Sequence, residues 1–505
     1  MYIKNIKLHN FRGIKDLSIN FDKNINVIVG VNGIGKTSIL DACAIVLSDF
    51  IRKITKSKSS LKFEDKDIYN LEFSSSINAS FELENPNLQV EGGREISLHK
   101  TKKGKISLTK DDTTFFKLLS DKLLADINDN VASSIPIFAY YQTHRALLDI
   151  PLRIRKSHLF SALESYDRSL NGDANFRLFF EWFRMQDDLE NEKIVNVKGI
   201  SKDLEKDIAK VEDSLILLAR LVSLSKDFDH NLKEYSSEKK AGDNDVKRIL
   251  EEINTLKVKA SEAKNDVEKK QINYHNIVAD SKNYNNSVEF KAINYVRKAI
   301  EEFIPYIHNI RITRNPLSMV AEKNDIEIHI EQLSQGEKIL ISMIGDIARR
   351  LVIANQGIKN PLMGEGIILI DEIELHLHPQ WQSEVVKKLK KTFPNCQFIL
   401  TTHSPQVIRE VEKESIFLLS IDSEKNASVI NPKRTIGLDS SNVLSEIMNT
   451  LTINEEFERK LSTLYSNIDK EKYDKARKLL TDLQNEYSDV PEIIKARNFI
   501  NFMED

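Results

Sequence analysis

Apolar and polar residues alternate near the start of the chain, in YIKNIKLHNF and LSINF, with the period of half-buried strands. The continuous apolar run NVIVG predicts a central strand, and TSILDACAIVL after it predicts a helix. Alternation over 61–110 predicts antiparallel strands, and beyond 112 the pattern is mainly helical around the strand IPIFAYY at 135–141. From 290 to 420 the strands IEIHI, GIILI and QFILT indicate a return to α/β alternation.

Residues 200–288 have a different character, rich in Lys, Glu, Asp and Asn. Apolar residues recur there at helical spacing on two arms, for example Val211 and Leu215 on the first and Ile249 and Ile253 on the second. The polar stretch SSEKKAGDND lies between the arms and indicates a turn. We predict an antiparallel helical hairpin with arms of roughly 35 residues, about 50 Å long. It serves either as a solvated lever or as a contact for DNA or a partner.

Composition narrows the class of protein. The 505 residues include 73 Lys+Arg against 76 Asp+Glu, so any nucleic-acid binding must come from local patches. The only cysteines are Cys43 and Cys396, which excludes a disulfide scaffold and fits a reducing cytoplasm. The N-terminus lacks the apolar segment of a secretion signal, and no apolar run is long enough for a membrane span. We therefore expect a cytoplasmic protein with no membrane contact.

The stretch GVNGIGKT, residues 30–37, matches the phosphate-binding P-loop GxxxxGK[ST]. It lies between the predicted strand NVIVG and the predicted helix, where backbone N–H groups and the helix N-terminus favour a bound phosphate. Lys36 is predicted to reach the β- and γ-phosphates of ATP, and Thr37 to ligate Mg²⁺. The nucleotide-binding residues predicted here are Gly30, Asn32, Gly33, Ile34, Gly35, Lys36, Thr37 and Ser38.

The stretch GIILIDE at 366–372 is an apolar strand followed by two acids, and it predicts the acidic strand that completes the nucleotide site of the P-loop. In P-loop enzymes such a strand lies beside the P-loop strand, so Asp371 fits the Mg²⁺ shell and Glu372 fits the general base that orients water. The longer stretch DEIELHLHP at 371–379 has an alternative interpretation. Its carboxylates and the histidines His376 and His378 are residue types that bind catalytic metals, which would make the chain a stand-alone metal-dependent nuclease.

The order of the P-loop, the LSQGE stretch, the strand ending in Asp-Glu and the strand ending in QFILTTHS resembles ABC-type ATPases of the SMC and RecF branch. The resemblance implies a head-to-head dimer that encloses two nucleotides. It also implies that Ser334, Gly336 and Glu337 form the signature that meets the nucleotide of the other head, and that His403 senses the γ-phosphate. Arg12 in NFRG matches an arginine that approaches the nucleotide in some relatives. Gln142 in AYYQTHR is the candidate coupling glutamine at the Mg²⁺ site.

A closer resemblance is carried by AYYQTHRALLDIPLRIRKSHLF, FRLFFEWFRMQDDLENE, DEIELHLHPQWQ and GLDSSNVLSEIM. These stretches are similar to the PtuA family, the ATPase subunits of Septu anti-phage systems, including versions encoded beside retrons. The resemblance implies ATP and Mg²⁺ as cofactors, a homodimer or higher oligomer formed through the heads, and a separate HNH-type nuclease subunit of the PtuB kind. DNA or phage nucleic acid is a further expected partner.

The fold class that follows is α/β: an ABC-type P-loop head with a mixed sheet, an inserted antiparallel helical hairpin and a helical C-terminal tail. We place the N-terminal lobe with the P-loop at 1–199 and the hairpin at 200–288. The C-terminal lobe with the signature, the Asp-Glu strand and the histidine follows at 289–445, and a docking segment at 446–505.

Three features leave alternatives open. Basic residues on a predicted hairpin either follow a phosphate backbone or protect an edge strand (Arg94, Lys100, Lys102, Lys103, Lys105 and Lys110). The acidic run DDLENE at 187–192 is either a regulatory contact or a solvated helix face. The amphipathic tail either docks a partner or packs back on the head.

We therefore predict an ATP-hydrolysing ABC-type ATPase whose nucleotide-gated dimer regulates a separate nuclease in anti-phage defence, with no nuclease centre of its own. The rival hypothesis is a DNA-repair ATPase of RecF or SMC type that binds DNA without a nuclease partner.

Overall fold

The structure is a computed structural model in which the described residues form two compact units. The first comprises Met1–Arg145, Tyr166–Asp173 and Met363–Asp505, and the second comprises Ala146–Ser165 and Ala174–Leu362. The described residues are 1–57, 61–70, 72–83, 92–101, 105–110, 114–128, 134–143, 161–172, 177–191, scattered positions between 206 and 272, 288–422, 426–447, 455–470, 472–488 and 490–504.

The strands, in chain order, are β1 (Tyr2–Phe11), β2 (Ile14–Asn20), β3 (Ile25–Val29), β4 (Ser74–Glu82), β5 (Gly92–Lys100), β6 (Ile106–Lys110), β7 (Ile137–Tyr141), β8 (Ile307–Arg314), β9 (Leu317–Lys323), β10 (Ile326–His329), β11 (Gly366–Ile370), β12 (Cys396–Thr402), β13 (Ile416–Ile421) and β14 (Ala427–Ile430). The helices are α1 (Lys36–Thr55), α2 (Thr114–Asn128), α3 (177–191), α4 (Val288–Phe303), α5 (Gln335–Ala354), α6 (Pro379–Thr392), α7 (Pro405–Ile408), α8 (Ser440–Asn442), α9 (Glu455–Asp469), α10 (Tyr473–Tyr487) and α11 (Pro491–Glu504).

A six-stranded mixed sheet in the first unit has the order β14-β13-β3-β12-β11-β7, and β7, β11, β12, β3 and β13 run parallel. Strands β3, β7, β11 and β12 are buried throughout, as continuous apolar runs in a parallel sheet require. Parallel strands end at one edge of a sheet, so the residues that follow β3, β7, β11 and β12 lie near one another. This arrangement confirms the predicted mixed α/β P-loop head. The expectation that the strand ending at Asp371 lies beside the P-loop strand is wrong, because β12 lies between β3 and β11.

The second sheet of this unit is antiparallel, with the order β2-β1-β4-β5-β6. Buried and exposed residues alternate along β2, β4 and β5, which is typical of a sheet with one face on a core. Arg94 on β5 does not belong to the basic surface that the sequence suggested, because it is buried and pairs at 2.7 Å with the buried Asp49 of α1. Lys100 on the same strand is partly exposed and pairs with Asp65.

The Arg94–Asp49 pair gives a stability prediction. Replacing Arg94 with Met leaves the Asp49 carboxylate buried with Arg52 beside it, and we expect a loss of about 3 kcal/mol in the free energy of unfolding, measured with urea. Replacing Asp49 with Leu in the same chain should recover most of the loss, because no unpaired charge is then buried. Lys100→Ala, which breaks the partly exposed pair, serves as the control. Equal urea midpoints for Arg94→Met and Lys100→Ala would contradict the prediction.

The second unit contains α3, α4, α5 and the antiparallel sheet β10-β9-β8. The acidic run on α3 is neither free nor solvated throughout. Asp187 is buried and lies 3.2 Å from Arg297 of α4, and Asp188 lies 2.5 Å from Arg314 of β8. Glu190 also pairs with Arg297. The run therefore ties α3 to α4 and β8, which the sequence pattern alone did not indicate.

The hairpin predicted at 200–288 lies mostly outside the described residues, and the described positions between 206 and 272 are helical. In the C-terminal segment, α9, α10 and α11 pack on one another around a core of their own that includes Phe457, Leu464, Leu480 and Ile493. The helices of the described residues include none that is both long and apolar enough to cross a membrane.

Candidate functional site

The P-loop follows β3 and leads directly into α1. Gly33 and Gly35 have positive φ values of 78° and 108°, a backbone region in which a Cβ is strained, so the motif glycines are required by the turn. Gly30 is close-packed, since an added Cβ would lie 3.0 Å from Ile34 Cγ2. The turn brings the first residue of the helix back over the loop.

That first residue is Lys36, whose Nζ donates hydrogen bonds to the carbonyl oxygens of Gly30 at 2.9 Å and Val31 at 3.1 Å. Burial lowers the pKa of Lys36, and the negative charges of Asp371 and Glu372 oppose that shift. The ammonium group is therefore held inside the loop, facing the carboxylates that follow β11. Asn32 is exposed and Ser38 is partly buried on the first turn of α1.

Asp371 joins three strands at the carboxyl edge of the sheet. Its Oδ2 accepts a hydrogen bond from Thr37 Oγ1 at 2.9 Å, and its Oδ1 accepts one from Thr401 Oγ1 at 2.5 Å. Its backbone N–H donates to the carbonyl of Tyr141 at the end of β7. A threonine hydroxyl beside a buried carboxylate is a set of hard oxygen ligands, so Thr37 and Asp371 fit a Mg²⁺ ion that arrives with a nucleotide.

Glu372, the predicted base, has a positive φ of 46°, an uncommon conformation for a residue other than glycine. Its backbone N–H donates to Thr401 Oγ1 at 2.8 Å, which holds the residue in place, and its side chain is partly exposed. Strained backbone of this kind is often found at functional sites.

His403 follows β12 and lies beside the same edge. Burial and the positive charge of Lys36 lower the pKa of His403, against the opposing charges of Glu374, Glu372 and Asp371, which favours the neutral imidazole. Its backbone N–H donates to Glu374 Oε1 at 2.6 Å, and the preceding Thr402 Oγ1 donates to Glu374 Oε2 at 2.7 Å. Glu374 belongs to the DEIELHLHP stretch, for which the sequence suggested the metal-binding alternative. No sequence motif or spacing indicates that Glu374 bonds to Thr402 and His403, because the residues are far apart in the chain.

Gln142 follows β7, and β7 pairs with β11 so that Tyr141 lies opposite Ile370. Its backbone N–H donates to the carbonyl of Gly172 at 2.8 Å. Gly172 has a φ of 89°, and a Cβ added there would lie 2.3 Å from Gln142 Oε1. Gln142 therefore lies at the end of β7, next to the strand that leads into Asp371. Its side chain fits there only because residue 172 is a glycine.

Arg12 lies in the turn between β1 and β2 and contacts two carboxylates. Its Nε donates to Asp67 Oδ1 at 2.8 Å, and its NH1 pairs with Asp41 of α1, one turn beyond Thr37. Tyr140 Oη also donates to Asp41, at 2.7 Å, and burial with the Asp41 charge raises the pKa of Tyr140, which keeps it a donor. Asp41 and Tyr140 were missed at the level of sequence, because their pairing depends on sheet order.

The signature residues lie in the second unit, at the start of α5. Ser334 is the N-cap and forms a capping box with Glu337, in which Ser334 N–H donates to Glu337 Oε2 at 2.8 Å. Glu337 Oε1 accepts hydrogen bonds from Lys323 Nζ at 2.8 Å and Tyr306 Oη at 3.0 Å. Burial raises the pKa of Glu337, but these hydrogen bonds outweigh it and hold the pKa below its usual value. Ser334 is exposed, and Gly336 is buried.

The two histidines of DEIELHLHP follow the acids in the segment that leads to α6. His376 is exposed with a φ of 64°, and His378 is the N-cap of α6, where its side chain accepts a hydrogen bond from Gln380 N–H. Within the described part of the chain, no three His, Cys, Asp or Glu side chains are grouped as a metal site would need. The alternative of a metal-binding cluster at 371–379 therefore has no support in the geometry.

Comparison with known proteins adds three findings. Residues 1–408 match the family described as "AAA ATPase domain". The chain is 31% identical over 458 residues to the "Retron Ec83 probable ATPase" of Escherichia coli, covering 88% of this chain and 76% of that protein. It is 29% identical over 222 residues to the "Septu protein PtuA" of Bacillus mycoides strain KBAB4, covering 42% of this chain and 30% of that protein.

Among solved structures, an Smc head domain with an extended coiled coil from Pyrococcus furiosus, bound to the C-terminal domain of ScpA, aligns with a TM-score of 0.40 at 18% identity. The alignment covers 85% of this chain and 96% of that one.

Proposed function

Because this chain belongs to the family of AAA ATPase domains, with the retron ATPases among its relatives, we propose that it binds ATP with Mg²⁺ and hydrolyses it at the carboxyl edge of the six-stranded sheet. The observation that carries the proposal is the Thr37–Asp371 hydrogen bond, which joins the P-loop helix to the end of β11. Lys36 binds the phosphates, Glu372 orients the attacking water, and His403 contacts the γ-phosphate. Magnesium, when bound by Thr37 and Asp371, would neutralise charge on the phosphates.

The nucleotide also joins two copies of the chain in this proposal. Ser334 and Gly336 lie at the start of a helix whose N-terminus carries partial positive charge, which suits a phosphate. Ser334 is exposed, so the P-loop nucleotide of a second copy has access to it. ATP binding closes the two heads, and hydrolysis releases them.

The biological role we propose is control of a separate HNH-type nuclease subunit during anti-phage defence, as the sequence resemblance to the PtuA family implies. A retron ATPase and a Septu PtuA protein among the relatives of the chain support this proposal. Lys100 and the exposed Lys105 on the β5–β6 hairpin are the surface that we propose for nucleic acid. Co-expression with the neighbouring gene distinguishes this role from a RecF-type repair ATPase. A nuclease that co-purifies with the chain supports it, and protection against phage without any nuclease partner contradicts it.

The dimer is tested with an isosteric pair of substitutions. Ser334→Asn and Ser334→Asp both keep an N-cap side chain, but only Asp adds a negative charge at the helix start. In a Glu372→Gln chain with Mg-ATP, light scattering should show a dimer for Ser334→Asn and monomer for Ser334→Asp, because the carboxylate repels the phosphate. Equal dimer fractions for the two variants would exclude the signature from the interface.

A further inference from the structure

The loop after β11 is joined by hydrogen bonds to the end of β12 and to the residue that follows it. Thr401 Oγ1 donates to Asp371 Oδ1 and accepts from the backbone N–H of Glu372 at 2.8 Å. Two residues after Glu372, Glu374 accepts hydrogen bonds from the Thr402 hydroxyl and from the backbone N–H of His403, the two residues that follow Thr401. The first contact positions Asp371, the predicted Mg²⁺ ligand, and Glu372, the predicted base. The second is not explained by binding of phosphate, metal or water.

Glu374 forms two hydrogen bonds, to Thr402 and to His403, which we call the Glu374 clamp. Both carboxylate oxygens are used, Oε2 for the Thr402 hydroxyl at 2.7 Å and Oε1 for the His403 backbone N–H at 2.6 Å. Thr402 is buried, and its Oγ1 in turn accepts from Ser404 N–H at 3.0 Å. Short hydrogen bonds to an ionised carboxylate are among the strongest in proteins, so this contact restricts the backbone at His403.

A second set of hydrogen bonds joins Ser404, the residue after His403, to α6. Ser404 Oγ donates to Gln382 Oε1 at 2.7 Å, and Gln382 Nε2 donates to the carbonyl of Leu377 at 2.8 Å. Gln382 lies on α6, the helix that follows the Asp371–His378 stretch. The segment that carries His403 is therefore held between Glu374 and Gln382, both of which belong to the chain that leads away from Glu372.

We propose that Glu374 is a positioning residue, which couples the loop of Asp371 and Glu372 to the backbone of His403 so that base and histidine keep one relative geometry. This inference rests on the proposed ATPase site and extends it to a residue to which that proposal gives no role in binding the nucleotide or the metal. A displacement of His403 that accompanies nucleotide binding is then transmitted to Glu372 through Glu374.

The kinetic test separates positioning from folding. Glu374→Ala removes both acceptors, and we expect a fall in kcat of about 100-fold with KM for ATP unchanged, because small misplacements of reacting groups carry costs of that size. Thr402→Val should lower kcat as well, and Thr402→Ser, which keeps the hydroxyl, should restore it. Glu384→Ala on α6 removes a partly exposed glutamate and serves as the control. Wild-type kcat in Glu374→Ala would overturn the proposal.

A double-mutant cycle tests whether Glu374 acts through His403. In a His403→Ala chain, the additional Glu374→Ala substitution should have no further effect on kcat, because the residue to be positioned is already missing. Independent, multiplicative losses would overturn the inference while leaving the ATPase site itself intact.

Hydrogen exchange supplies a readout that needs no ATP turnover. The amide of His403 should exchange at least about tenfold faster in Glu374→Ala than in the wild type, because its hydrogen bond to a charged acceptor is lost. Glu374→Gln keeps one acceptor oxygen and serves as a second variant if Glu374→Ala fails to fold. Unchanged exchange at His403 in both variants would refute the clamp. A wild-type chain that exchanges as expected but hydrolyses no ATP would refute the proposed function instead.

Discussion

ATP hydrolysis is expected to fall by about 10²–10³-fold when Lys36 is replaced by alanine, and ATP affinity is expected to fall with it. Lys36 is buried at the start of α1, and its ammonium group lies inside the turn, bonded to the carbonyl oxygens of Gly30 and Val31. The substitution removes the positive charge that would attract the phosphates of the nucleotide. Because Lys36 is buried, this attraction is stronger than it would be in water. Phosphate release and the affinity for a fluorescent ATP analogue are the two measurements.

The matched control for this substitution is Lys15→Ala, which removes an exposed lysine of β2. It changes the net charge by the same amount and leaves the P-loop untouched, so both ATP turnover and affinity should equal those of the wild type. If Lys36→Ala also keeps its turnover, the P-loop does not serve hydrolysis. A loss of phage protection that accompanies the loss of turnover links the activity to the proposed defence role.

Replacing Glu372 with Gln separates binding from hydrolysis. The substitution keeps size and the backbone bond to Thr401 Oγ1, but it removes the group that would accept a proton from the attacking water. We expect turnover to fall by about 10²–10⁴-fold, the usual contribution of a general base, while ATP affinity stays within a small factor of the wild type. Single-turnover hydrolysis and equilibrium ATP binding measure the two quantities.

Glu414→Gln, at an exposed position before β13, is the control for the lost charge. It should alter neither quantity. Glu372→Gln should in addition stabilise the ATP-bound dimer, because the step that opens the heads is blocked. A parallel loss of ATP binding and turnover would show that Glu372 supports the nucleotide rather than the water.

Local features of the site were predictable because each depends on a short stretch of chain. The P-loop glycines, the helix that starts at Lys36 and the strand that ends before Asp371 are encoded by neighbouring residues and by apolar runs. The capping box of Ser334 and Glu337 follows from an S-x-x-E spacing at the start of an apolar helix. Family resemblance supplied the expected roles of Ser334 and His403, for which local pattern had no information.

Contacts between distant residues were not predictable in the same way. Arg94 belongs by sequence to a lysine-rich hairpin, yet the register of β5 turns its side chain inward to Asp49. The sequence left the acids of α3 as either a regulatory contact or a solvated face, and only the fold places Arg297 and Arg314 against them. A one-residue shift in strand register reverses which side chains face the core, and a single sequence leaves that register open.

The sequence by itself therefore determined where the phosphate-binding turn, the two acids and the histidine lie along the chain, since helix starts, strand ends and glycine turns are set by local energetics. Only the tertiary structure decided which of them meet. The order β3-β12-β11-β7 brings Thr37 to Asp371 and Glu374 to His403, across separations in the chain that no spacing rule spans. Their contacts depend on the packing of parallel strands, whose carboxyl ends share one edge.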